Sequence, residues 1–99
     1  IIKQIIKKNG GTPHRTRIGH SFIKQDMRRL HGILAGEHSG HYYFGANYNA
    51  DSSLIAGLTV LQILSETDKP LSRLIKLYDI YPTSGEINFK VPDREEAVN

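Results

Sequence analysis

Apolar residues spaced three and four apart alternate along this chain with short apolar runs bounded by glycine and polar turns. That alternation of helical and strand periods limits the fold to an α/β layer architecture. Ile1, Ile2, Ile5 and Ile6 share a helical face opposite Lys3, Lys7 and Lys8, and Asn9-Gly10-Gly11 ends that helix. Residues 12–18, which include Pro13 and stop at Gly19, read as a strand. Ser21 offers an N-cap to a helix over 22–31, with Ile23, Met27 and Leu30 inward and Gly32 as its stop. Residues 33–37 and 42–44 read as short strands on either side of a polar turn. A loop over 47–53 leads through a capping Asp or Ser into a strong helix at 54–64, and a second amphipathic helix covers 71–78. Residues 81–85 read as a linker. Ile87, Phe89 and Val91 then alternate with Asn88 and Lys90 as a half-exposed strand, and Pro92-Asp93 opens another helix.

Ninety-nine residues make one domain or a piece of a larger protein. The first helix lacks the strand that should feed it and the last is barely begun, so both ends are expected to be cut. With no cysteine there is no disulfide framework and no thiolate metal site, which fits a reducing cytoplasm, the expected location. No apolar run approaches the roughly 20 residues of a membrane-spanning helix. The N-terminus also lacks the charge-then-apolar order of a signal peptide.

The net charge of +3 hides an asymmetry. Residues 1–31 hold eight Lys or Arg against one acid, Asp26, while the rest hold five bases and nine acids. A basic first third suits nucleic acid, a phosphorylated small molecule, or ordinary solvated helix faces. Phe22 is the only aromatic residue there, which gives a nucleic-acid module little to stack on.

Two clusters carry chemistry. Glu37, Ser39 and His41 crowd the turn between the two short strands. A carboxylate accepting from neighbouring hydroxyls, beside a Ser and a His, suits a sugar diol, and equally suits a turn whose polar groups satisfy one another. His38 and His41 lie three apart, but no second cluster of ligands at metal-site spacing accompanies them, so no metal site is expected. Nothing marks a nucleophile elbow that would make Ser39 part of a Ser-His-acid triad. The second cluster is Thr16-Arg17-Ile18-Gly19-His20-Ser21, at the end of the expected strand and the start of a helix. Helix N-terminal amides attract anions, Arg17 adds a fork suited to phosphate, and His20 is of the type that exchanges protons near neutrality. Each also has a plain structural reading: Gly19 a tight turn, His20 a cap, Arg17 a solvated strand residue. If both clusters lie at the same ends of adjacent parallel strands, they share the place where α/β proteins bind ligands.

Taken together, Arg17-Ile18-Gly19-His20-Ser21-Phe22-Ile23-Lys24, Met27, Leu34-Ala35-Gly36-Glu37-His38-Ser39-Gly40-His41 and Tyr42-Tyr43-Phe44 resemble the α-D-phosphohexomutases. The resemblance is to the third domain of the phosphomannomutase/phosphoglucomutase branch, and it continues through Asp51-Ser52 and resumes at Ser84-Gly85-Glu86-Ile87-Asn88. The family usually carries Met at the position of His38. The resemblance implies a three-layer α/β/α domain with a mixed sheet of order 2-1-3-4, last strand antiparallel, whose first central strand is missing here. It implies domain III over 1–82, N-terminally truncated, and a linker with the start of domain IV over 83–99. It further implies an isomerase that moves phosphate between O1 and O6 of mannose or glucose phosphate through a phosphoserine and a bisphosphorylated sugar. In that scheme Glu37 and Ser39 bind the O3 and O4 hydroxyls, His41 lines the site, Gly19 and Arg17 join in binding substrate, and His20 is the candidate for proton transfer. Mg²⁺ belongs to another domain. The chain has no serine-nucleophile segment and no Asp-x-Asp-x-Asp-Arg loop, so alone it is expected to be inactive and, with strand edges unpaired, prone to self-association. The alternative is a nucleic-acid-binding or non-catalytic interaction module.

Overall fold

The computed structural model describes residues 1–92. In chain order the elements are α1 (Ile2–Lys8), α2 (His20–Leu30), β1 (Leu34–Gly36), β2 (Tyr42–Phe44), a 3-10 turn (Gly45–Asn47), β3 (Ala50–Asp51), α3 (Ser53–Ser65) and α4 (Leu71–Lys76). The three strands form one antiparallel sheet with β2 in the middle. Leu34 pairs with Phe44, Ala35 with Tyr43 and Gly36 with Tyr42, while Tyr43 and Phe44 pair on their other side with Asp51 and Ala50.

The helix α2 lies against this sheet because its apolar stripe meets the one inward residue of β2. Ile23 and Met27, one turn apart, enclose Tyr43, and Ala35 packs against the three. Tyr43 is 1% exposed. The start of α2 differs from expectation: the chain turns into the helix at Gly19, without a side-chain cap, and Ser21 falls in the first turn. Its end is closed by His31 in the left-handed conformation, with the Gly32 amide donating to the Met27 carbonyl. Of the Asp and Ser residues expected to cap the helix α3, Ser52 takes the place, its Oγ accepting from the Ile55 amide at 3.2 Å.

Two expected strands do not form. Residues 12–18 carry no ladder, so the described sheet has no parallel neighbour and the two chemical clusters do not stand on adjacent parallel strands. A strand exists only where another lies beside it, and Pro13 has no N–H to offer. Side chains hold this segment instead. His14 Nε2 lies 3.2 Å from Asp26 Oδ2 on α2, and Arg29 grips the other oxygen of that carboxylate at 2.7 Å. The buried Thr16 hydroxyl sits beside the same carboxylate without reaching full hydrogen-bond geometry to any partner among the described residues. Thr16 first, then Arg29 and His14, hold the Asp26 carboxyl down at about 2. Ile87, Phe89 and Val91 likewise have no strand to pair with among the described residues and stay exposed. The helix expected from Pro92-Asp93 lies outside the described residues.

The larger apolar surface is uncovered. The helix α3 is apolar around most of its circumference, yet Leu54 is 71% and Leu61 62% exposed. Such a helix normally lies in a protein interior. With α4 it frames an apolar groove of about 240 Å³ lined by residues that include Val60, Leu64, Leu74 and Tyr78.

Candidate functional site

The polar turn between β1 and β2 is a tight hairpin. The Gly40 amide donates to the Glu37 carbonyl at 3.1 Å, and the Glu37 amide donates to the His41 carbonyl at 2.9 Å. The chain closes this way because Gly40 takes φ +87°, a left-handed conformation that glycine adopts without cost. Glu37 and His41 are thereby set opposite one another, His38 and Ser39 occupy the exposed tip, and the Glu37 side chain is only 14% exposed.

Both oxygens of Glu37 are held from inside the protein. The Gly19 amide donates to Oε1 at 3.2 Å, and the Tyr43 hydroxyl donates to Oε2 at 2.9 Å. Gly19 can aim its N–H there because the backbone stands at φ 123°, ψ 132°, and because a side chain at this position would crowd Phe22 at 3.3 Å. His41 Nδ1 lies 3.6 Å from Glu37 Oε2 and shares a hydrogen bond with Ser39 Oγ at 3.0 Å. Burial of Tyr43, and then the neighbouring Glu37 carboxylate, push its phenol up to about 12. It therefore stays a donor across the neutral range.

The structure thus brings Glu37, Ser39, His41 and Gly19 into one hydrogen-bonded group. His20 follows Gly19 directly as the first residue of α2 and is exposed. Arg17 is exposed as well, with its guanidinium carbon 4.5 Å from the centre of the Phe22 ring, a cation–π contact. Sequence reasoning placed the two clusters near one another through parallel strands; the structure joins them through one backbone amide. It also missed Tyr43, read only as a strand residue. The available signal was its place two residues after His41, which puts the two side chains on the same face of a strand. Among the described residues no three His, Asp or Glu side chains converge into a cage of the kind that holds a Mg²⁺ ion. No helix among the described residues is long and apolar enough to cross a membrane.

Residues 1–81 match the family model for the phosphoglucomutase/phosphomannomutase alpha/beta/alpha domain III. The chain belongs to this family. The chain is 42% identical over 95 residues to a phosphomannomutase of Methanocaldococcus jannaschii, covering 96% of this chain and 21% of that protein. It is 43% identical over 89 residues to a phosphomannomutase of Vibrio cholerae, covering 88% and 19%. It is 38% identical over 96 residues to a phosphomannomutase of Escherichia coli K12, covering 96% and 21%. The chain spans about a fifth of the length of these curated relatives.

Proposed function

We propose that this domain III grips the sugar ring of a hexose phosphate in an enzyme that interconverts hexose 1-phosphate and hexose 6-phosphate. The observation that carries the reading is the doubly anchored Glu37. An ionised carboxylate has about four acceptor positions. Internal donors from Gly19 and Tyr43 use one on each oxygen, leaving a fixed acceptor pair of the kind that a vicinal diol such as O3 and O4 would fill. Ser39 and His41 stand beside it as further hydrogen-bonding groups. A carboxylate in this place would repel phosphate, so the phosphate is gripped by other parts of the enzyme, with domain IV the clamp.

In this reading a phosphoserine of domain I gives its phosphate to the sugar. The resulting bisphosphorylated sugar turns over by half a turn and returns the other phosphate to the serine. Since O3 and O4 occupy similar places in both orientations, one acceptor pair serves both halves of the reaction. His20 exchanges a proton with the reacting end, and Arg17 and Gly19 complete the substrate contacts. Mg²⁺, when bound by domain II, neutralises charge on the transferring phosphoryl group.

Domain III extends over 1–82, and 83–99 are the linker and the start of domain IV. In the whole enzyme the described strands join a mixed sheet of order 2-1-3-4, with 12–18 the segment that pairs once a strand lies beside it. The exposed face of α3 is covered there by the rest of the enzyme, which works in the cytoplasm. The isolated chain holds no phosphoserine machinery and is inactive, and its uncovered surface favours self-association.

The test is Glu37→Ala in the full-length enzyme, assayed with mannose and glucose 1-phosphates. A loss in kcat/KM on the order of 1–3 kcal/mol per sugar contact is expected. Unchanged kinetics would overturn the sugar-gripping role.

A further inference from the structure

We propose that Tyr43 is the positioning residue that fixes the Glu37 carboxylate for sugar recognition, a proposal that rests on the sugar-gripping reading of Glu37. Tyr43 belongs at once to the core and to the site. Its backbone is paired on both sides, with Ala35 and with Asp51, because it lies in the middle strand. Its ring is enclosed by Ile23 and Met27. A ring so packed cannot turn without displacing its neighbours, so its hydroxyl is a fixed point from which a hydrogen bond of 2.9 Å reaches Glu37 Oε2.

The other carboxylate oxygen is tied to a backbone amide, that of Gly19. Two anchors on two oxygens fix both the place and the plane of the carboxylate, which one anchor alone leaves free to swing. Tyr43 is 1% exposed, so it does not meet substrate and acts through Glu37. A Glu on a hairpin next to an exposed tip would otherwise sample several rotamers, and ordering them would be charged against every binding event. Lys24 Nζ also lies over the ring, 5.9 Å from its centre, and 3.8 Å from Asp51 Oδ1.

Since the sugar hydroxyls are held alike in the ground state and the transition state, loosening Glu37 removes uniform binding, which appears in KM rather than in kcat. The experiment uses the full-length enzyme with Tyr43→Phe, Glu37→Ala and the double variant, assayed with hexose 1-phosphate and with hexose 6-phosphate. Phe keeps the ring and removes only the donor. The expected result is a rise in KM of about three- to tenfold in both directions, kcat almost unchanged, and no additional rise when Tyr43→Phe is placed on Glu37→Ala. A wild-type KM for Tyr43→Phe, beside a raised KM for Glu37→Ala, overturns the positioning role and leaves the sugar reading standing. An effect of Tyr43→Phe that persists in full on Glu37→Ala also overturns it, since Tyr43 then acts through the fold. If Glu37→Ala itself leaves KM unchanged, both readings fall. Should the Phe variant not fold, 3-fluorotyrosine at position 43 keeps the shape and alters the donor strength. KM must then move while the melting temperature does not, and an unmoved KM overturns the proposal.

Discussion

The amide of Gly19 donates to Glu37 Oε1 at 3.2 Å, and this one bond joins two segments 18 residues apart in sequence. It depends on a backbone conformation that side chains rarely permit. Gly19→Ala therefore strains the turn into α2 by about 1–3 kcal/mol, and its Cβ presses on Phe22. We expect faster exchange of the Ile23 amide, which donates to the Gly19 carbonyl at 3.1 Å, together with a raised KM for sugar phosphate. Unaltered exchange there would show that the turn tolerates a side chain.

Gly40 is a contrasting case. A Cβ at this position meets nothing within 4 Å, so only its φ of +87° resists substitution. Gly40→Ala is expected to cost about 1–2 kcal/mol, and Gly40→Asn less, because asparagine tolerates the left-handed region. Exchange of the Glu37 amide, which closes the hairpin on the His41 carbonyl, measures both.

Asp26 gives a pH signature. Its folded carboxyl is held down at about 2 against an ordinary value of 3.8, with the Thr16 hydroxyl the leading cause. The unfolded chain takes up this proton first as pH falls. The contribution to stability is thus fully present above 3.8 and is lost as pH falls through about 2. A carboxyl-carbon NMR titration of the enzyme should show Asp26 turning over near the lower value. Thr16→Val should move it back toward the ordinary value by more than His14→Ala does.

Ser52 caps α3 by accepting from the Ile55 amide. Ser52→Ala should cost about 1 kcal/mol, seen as faster exchange of the Ile55 amide, with exchange at the far end of the helix unchanged. Ser52→Asp should restore protection, since it supplies an acceptor and a negative charge at the helix start.

What the sequence made legible follows from how local each interaction is. The helix α2 and strands β1 and β2 could be read directly, because Ile23 and Met27 fall on one helical face and two apolar runs flank a glycine-bearing polar turn. A capping Asp or Ser ahead of α3 was equally local, and Ser52 is the one that fills the place. The failures lie where a partner is needed. Residues 12–18 have strand character but no neighbour to pair with, and Ile87, Phe89 and Val91 have the strand period without an edge to meet. In the site, Glu37, Ser39 and His41 were visible as a dense polar triplet. The two donors that hold Glu37 were not. One is a backbone amide, which no side chain announces, and the other is a tyrosine whose ring reads as core and whose hydroxyl reads as nothing until its neighbours are placed.

The packing of Tyr43 between Ile23 and Met27 ties two kinds of selection together. In most domains a core methyl group can be exchanged and compensated without the ligand noticing. Here a shortened Ile23 or a bulkier Met27 would tilt the ring that carries the Glu37 anchor, so drift in the core becomes drift in affinity. Keeping the hydroxyl in place through such a change would take a compensating change in the neighbouring core residue.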